Sequence, residues 1–298
     1  MGKILILLPS VTFLLTASVR LARPFVLALL GGFRSRLLLS YNECLLSTSQ
    51  SDRLRIILVA PRNPLNIGAA ARAMANFGLH DLTIVAPFAT NWMEAKSAVG
   101  APELLRGARI CATLAEAVAD CALVLGTGSL DRRRPEQRIL PMPQAAGAVQ
   151  SFLQSHPADS RVALVFGSEK HGLTSDDLTW CHAIVVIETA DEQPSMNLGQ
   201  AVAVTLYACT FSDTPVQGSL PLPTRMPNSE QMDRLASLVE ATMEEANYMT
   251  RGLRSANGEA LRILLRRLLP EDADLRRIMG LFRRILWRMQ HPRTDKNA

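Results

Sequence analysis

From residue 54 onward the chain repeats one grammar: an unbroken apolar run, a polar loop, then a stretch whose apolar positions recur every third or fourth residue. The runs at 54–60, 82–86, 122–126, 161–166 and 183–187 predict strands, while 67–77, 114–119, 143–154 and 197–211 predict helices. Strands without polar alternation have to be buried on both faces. The pattern therefore predicts an α/β fold, a mostly parallel sheet with helices on both sides. The helix at 197–211 is small and apolar all round. Then the grammar stops. Pro215, Pro221, Pro223 and Pro227 exclude regular structure from 213–228 and mark a linker after a first domain at 51–212. Beyond it, Met232, Leu235, Leu238, Val239, Met243 and Ala246 draw an amphipathic stripe over 229–247, and 260–269 and 275–289 predict two more helices. A small helical module at 229–298 is expected, apolar on one side and basic on the other, its apolar stripes serving as packing surface rather than as a membrane face.

Residues 1–50 follow neither pattern. Ile4 to Val19 is a run of 16 uncharged residues, followed by Arg20, Arg23, Arg34 and Arg36, and no acid precedes Glu43. Lys3 before the run, with Thr16, Ala17 and Ser18 behind it, imitates a secretion signal. The acid-poor, Arg-rich composition imitates a transit peptide, and the run is short for a membrane span and contains Pro9. A fourth reading has translation beginning near Ser51. An upstream extension or loose appendage is preferred, a membrane anchor comes second and a cleaved signal last, since nothing later looks secreted.

At 298 residues, 48% hydrophobic and 20% charged, the chain can bury an ample globular core. Its net charge of +5 is unevenly placed. From Arg251 to the end, 12 Lys and Arg face 5 Asp and Glu, a local excess of +7. Such a tail suits a polyanion, nucleic acid first, or else forms a solvated face. The cysteines at 44, 111, 121, 181 and 209 form no C-x-x-C pair and no His/Cys ligand spacing. A reduced compartment, the cytoplasm, with no metal is expected.

Gly126, Thr127 and Gly128 at a strand end invite a dinucleotide reading, which fails because Asp131 stands where the third glycine belongs. No phosphate-loop and no G-x-S-x-G pattern occurs, which disfavours nucleotide hydrolysis and the α/β-hydrolase triad. Three other turns carry chemistry. Pro61 to Gly78 holds Asn66 as a helix N-cap, Gly68 where a ligand can sit close over the first turn, and Gly78 as the residue closing the helix. Arg72 interrupts that alanine-rich helix, so it either seeks a phosphate or carboxylate or snorkels to solvent. Gly167, Glu169 and Gly172 follow one strand, with Glu169 either bonded to a partner or set near a helix N-terminus. Ser195, Met196, Asn197 and Leu198 follow another strand and open a helix. Ligands of open α/β sheets bind beyond such carboxyl ends.

Asn66-x-Gly68-x-x-x-Arg72, Gly167-x-Glu169-x-x-Gly172 and Ser195-x-Asn197-Leu198-x-x-Ala201 resemble the three motifs of the SPOUT RNA methyltransferases, SpoU or TrmH branch, over roughly 54–211. Met196 and Gly199 are small departures compatible with the turn. The basic helices are similar to the extension of bacterial tRNA 2′-O-methyltransferases that act in the anticodon loop. The resemblance implies a trefoil-knotted homodimer that uses S-adenosylmethionine to methylate a ribose 2′-hydroxyl of RNA, most simply tRNA at a nucleotide-32 type of position. A ribosomal RNA substrate, an RNA-binding scaffold without transfer, and a protein anchored through 1–50 stay open. Cofactor contacts are implied at Thr127, Gly128, Gly167, Ile187, Met196 and Leu198. Arg72 is implied at the hydroxyl, with Asn66, Glu169, Ser195 and Asn197 orienting nucleotide and loops. RNA docking is expected from Arg132, Arg133, Arg134 and Arg138, together with Arg276, Arg277, Arg283 and Arg284.

Overall fold

The computed structural model describes residues 46–88, 92, 97–98, 100–128, 135–190, 192–211, 220–248 and 254–291, so the expectations for 1–45 lie outside the described residues. After one helical turn at Thr48–Ser51 come β1 (Leu54–Val59), α1 (Pro64–Asn76), β2 (Leu82–Val85), α2 (Pro102–Arg106), β3 (Arg109–Cys111), α3 (Leu114–Val118) and β4 (Cys121–Thr127). They are followed by β5 (Arg138–Pro141), α4 (Met142–Ser155), β6 (Arg161–Phe166), α5 (Ser175–Thr179), β7 (Ala183–Val186) and α6 (Leu198–Phe211). The seven strands form one sheet in the order β3-β2-β1-β6-β4-β7-β5, and every pairing is parallel.

Why the strands read as continuous apolar runs is visible in β1, where every residue is buried. Leu54, Ile56 and Leu58 enter one core with Ile67, Met74, Phe152, Val202 and Leu206, while Ile57 and Val59 enter the other with Leu114, Val118, Val165 and Leu178. Successive side chains point to opposite faces, and helices cover both. Each such large side chain contributes about 1.5–3 kcal/mol by leaving water. The edge strands β3 and β5 are absent from the sequence reading because they are short and mostly exposed.

Charges gather at the amino ends of the strands. Arg55 bonds Asp81 at 2.9 Å and Asp120 at 2.5 Å, and Arg161 bonds Asp81 at 2.9 Å. That pole of the sheet is a structural latch, leaving the carboxyl ends free for chemistry.

The C-terminal helices are α7 (Ser229–Glu245), α8 (Arg254–Leu268) and α9 (Asp272–Gln290). Met232, Leu235, Val239, Leu265 and Leu275 bury their own small core. The module is docked on the sheet layer: Glu230 N–H donates to Ala119 O at 3.0 Å and Ser229 Oγ to Cys121 O at 3.2 Å. Among the described residues no helix is long and apolar enough to cross a membrane.

Candidate active site

The order β2-β1-β6-β4-β7 sets the carboxyl ends of β1 and β6 side by side, with that of β7 on the far side of β4. The loop after β6 doubles back at once, with Gly172 N–H donating to Ser168 O at 2.8 Å and Gly172 at φ +65°. Gly167 makes the crossing feasible: a Cβ there would lie 2.0 Å from Gly172 C and 2.1 Å from Leu173 N.

That loop presents Glu169 to the loop after β1. Its Oε2 accepts from the Arg62 main-chain N–H at 2.9 Å, and its Oε1 accepts from Asn63 N–H at 3.0 Å and from Asn66 Nδ2 at 2.9 Å. Partial burial pushes the carboxyl upward, but the donors at Asn66, Arg62 and Asn63 outweigh it and hold Glu169 below the usual carboxylate range. Asn66 Oδ1 in turn accepts from Asn197 Nδ2 at 2.9 Å, and Asn197 Oδ1 caps α6 by accepting from Gly199 N–H at 3.0 Å. Glu169 and Asn197, each more than a hundred residues from Asn66 in sequence, thus join it in one hydrogen-bonded relay across the three motif segments. Helices α1 and α6 pack tightly beneath it, since a Cβ on Gly199 would fall 2.6 Å from Ala69 Cβ.

One expectation is corrected. Asn66 is not the N-cap of α1. Asn63 is, accepting from Leu65 N–H at 2.9 Å with Pro64 in the first turn, so the helix starts three residues before 67. The consecutive Asn63 and Pro64 were the signal for this start, and the shift frees the Asn66 side chain to bridge loops. Of the two partners open to Glu169, Arg72 or a loop amide, it takes the loop amides of Arg62 and Asn63. Arg72 is exposed and has no ion pair or hydrogen bond among the described residues. Gly78 closes α1 as expected, at φ +69°.

The implied cofactor contacts divide. Thr127 Oγ1 donates to Val165 O at 3.1 Å and Gly128 N–H to Val185 O at 3.0 Å, so those donors are spent within the sheet. Gly167, Ile187 and Met196 are half-buried at the loop bases, Leu198 is buried at the start of α6, and Ser195 is exposed beside Met196. The main-chain amides of Met196 and Leu198 take no backbone acceptor among the described residues. No group of three or more His, Cys, Asp and Glu among the described residues could hold a metal.

Of the implied RNA-docking arginines, Arg132, Arg133 and Arg134 lie outside the described residues. Arg138 is exposed on the edge strand β5. Arg276 and Arg277 pair with Asp272 and Asp274 in their own helix, Arg283 is exposed, and Arg284 lies 4.6 Å from the Trp287 ring centroid. Two other basic residues of the module turn inward. Arg262 bonds Asp176 at 3.1 Å and Thr179 at 3.2 Å, while Arg266, 1% exposed, donates to Trp180 O at 3.1 Å. Both guanidinium groups lie against the Trp180 ring, at 5.2 and 5.0 Å. They pin α8 to α5, the helix that ends the Glu169 loop. Burial draws Arg266 down to about 10, leaving it charged at neutral pH.

Comparison with known proteins matches residues 53–207 to the model of the SpoU rRNA Methylase family. The chain is similar to the tRNA (cytidine/uridine/adenosine-2′-O-)-methyltransferase TrmJ of Pseudomonas aeruginosa, with 39% identity over 199 residues covering 66% of this chain and 75% of the relative. It is 32% identical to the tRNA (cytidine/uridine-2′-O-)-methyltransferase TrmJ of Salmonella typhimurium, over 77% of this chain and 95% of that one. Among solved structures it resembles TrmJ from Z. mobilis ZM4, with a TM-score of 0.65, 31% identity, and 78% and 98% of the two chains covered. With three motif loops meeting at the carboxyl ends of a parallel sheet, this chain belongs to the SpoU rRNA Methylase family and is a methyltransferase.

Proposed function

We propose that this chain transfers a methyl group from S-adenosylmethionine to a ribose 2′-hydroxyl of tRNA, in the anticodon loop at a nucleotide-32 type of position, acting in the cytoplasm as a homodimer. The observation that carries the reading is the relay from Glu169 through Asn66 to Asn197, which holds three loops in one register. The 2′-O-methyltransferase names of the TrmJ relatives support the substrate and the reaction.

The loop bases suit the cofactor: uncharged, rich in main-chain groups, and with Gly167 lacking a side chain where the backbone folds on itself. Gly167, Ile187, Met196 and Leu198 would hold it, with Thr127 and Gly128 contributing backbone surface, since their donors are already used. When bound, S-adenosylmethionine supplies an already activated methyl group. What remains for the protein is to align the ribose and to help remove a proton from a weak acid. A guanidinium such as that of Arg72 is a poor base. Without a carboxylate partner among the described residues, it serves as a cation that holds the adjacent phosphate and stabilises the developing alkoxide. The Glu169–Asn66–Asn197 relay fixes the loops around it, and the exposed Ser195 orients the nucleotide. Arg132, Arg133, Arg134 and Arg138 track the RNA backbone together with Arg276, Arg277, Arg283 and Arg284. The family's trefoil knot belongs to the same proposal. So does the dimer: α6 is apolar all round and exposes Val204 and, at 61%, Tyr207, a face that a second copy covers.

The test is Arg72→Ala assayed with tRNA and ribosomal RNA transcripts. Cofactor binding by calorimetry stays unchanged and transfer to tRNA falls at least about 100-fold. Turnover of the alanine variant near the wild-type rate refutes the assignment. Methylation of ribosomal RNA alone refutes the substrate.

A further inference from the structure

We propose that Phe88 and Arg62 form a shelf on which a base of the RNA stacks, beside the ribose to be methylated. The inference rests on the RNA reading above and adds a binding surface that none of the three motifs contains.

Strands β1 and β2 pair in register, Val59 opposite Val85. The next residue of each, Ala60 at φ +46° and Ala86 at φ +44°, adopts the left-handed region that alanine avoids. Both strands therefore end in a forced change of direction at the same level of the sheet. Their exit loops are tied together by Phe88 N–H donating to Pro61 O at 3.2 Å. The result sets the Phe88 ring in water, 72% exposed, with the Arg62 guanidinium carbon 4.8 Å from its centroid.

The neighbourhood makes this more than a stray surface phenylalanine. The main-chain N–H of Arg62 is one of the three donors on Glu169, so the shelf is fastened to the relay that organises the site. Arg62 has no ion pair among the described residues, as is true of Arg72 in the following helix. The Arg62 guanidinium and the exposed Phe88 ring at this rim make a composite of cation and π-face. A nucleobase with its phosphate satisfies both halves, by stacking and by charge. Aromatic residues make up only 5% of the chain, so one placed in solvent at the site's edge is a costly use of a scarce residue.

The experiment measures methyl transfer to an unmodified tRNA transcript, RNA affinity, and cofactor affinity for Phe88→Ala, Phe88→Tyr and Arg62→Met. Phe88→Ala weakens RNA binding and raises KM for tRNA by about 10-fold, while cofactor affinity is unchanged. Phe88→Tyr stays within about 2-fold of wild type, because it keeps the π-face. Arg62→Met weakens RNA binding and lowers its salt dependence by about one ion. With 2-aminopurine placed along the anticodon loop, one position is quenched by wild type and not by Phe88→Ala. Equal RNA affinity and KM for wild type and Phe88→Ala overturn the shelf, as does a change in oligomeric mass without a change in RNA binding, which makes Phe88 a protein contact. Either result leaves the methyltransferase reading standing. Wild-type protein that binds cofactor but transfers to no RNA sinks the function itself instead.

Discussion

Substituting alanine at three glycines near strand ends separates backbone crossing from ordinary packing. In Gly167→Ala the new methyl sits 2.0–2.5 Å from Gly172 C, Leu173 N and Gly172 O. Non-bonded carbons settle at about 3.5–4.0 Å, so a peptide of the opposing loop must retreat by more than about 1 Å. Overpacking a core costs about 1–3 kcal/mol when side chains can give way. Here only backbone can, which puts the cost at about 3 kcal/mol or more. At about 2–4 °C per kcal/mol for a unit of this size, the melting temperature drops by about 6–12 °C. In Gly126→Ala the methyl meets Cys181 Sγ at 2.6 Å and Leu173 Cδ1 at 2.9 Å, side-chain atoms that can shift. The cost is about 1–2 kcal/mol. In Gly128→Ala the nearest atom is Ile184 Cγ2 at 3.6 Å, an ordinary contact, so stability stays within about 0.5 kcal/mol. Thermal melts and urea midpoints of the three variants provide the ranking, and methyl transfer should fail first in Gly167→Ala because the displaced loop carries Glu169. If the three melt within a degree of one another, or Gly128→Ala falls furthest, the crossing argument is wrong.

Asn66→Ala cuts both arms of the relay at a half-buried position; it costs about 1 kcal/mol of stability but lowers transfer about 100-fold, as steady-state rates and melts will compare. Arg266→Ala removes the bond to Trp180 O and the packing on its ring, costing about 2–4 kcal/mol. Amide exchange should then rise in 175–179 as well as in 261–268; a rise confined to the latter denies that α8 holds α5. His182 is buried, its Nδ1 accepting from Val124 N–H at 3.1 Å, and burial with the nearby Arg266 charge pulls its pKa to about 3 from 6.5. The unfolded chain takes up that proton below about pH 6.5 and the folded chain does not. Stability therefore falls as pH drops from 6.5 toward 3, with a slope approaching about 1.4 kcal/mol per pH unit. Urea midpoints for His182→Gln between pH 6.5 and 4.5 should show a flatter slope than wild type.

Local pattern carried much of the fold. Apolar runs located β1, β2, β4, β6 and β7 to within a residue or so, because strands buried on both faces leave no polar alternation to mislead. It failed at the edges: β3 spans only Arg109–Cys111 and β5 only Arg138–Pro141, both mostly exposed, so neither has a run to detect. Capping chemistry placed the start of α1 at Asn66 when Asn63 and Pro64 were the true signal. The chemistry of Asn66, Glu169 and Asn197 was legible as residue types at turns, but their mutual bonding was not.

By itself, then, the amino-acid sequence determined the α/β layering, the proline-rich break, the basic helical module and the motif residues, since each depends on neighbours a few positions apart. The tertiary structure alone decided that β6 lies beside β1, and with that what Glu169 bonds, why Gly167 must lack a side chain, and that Arg262 and Arg266 are spent inside the protein. It also decided that Phe88 stands in water beside Arg62. Those contacts join residues separated by tens to more than a hundred positions, and no local periodicity encodes which distant loop a strand order brings alongside.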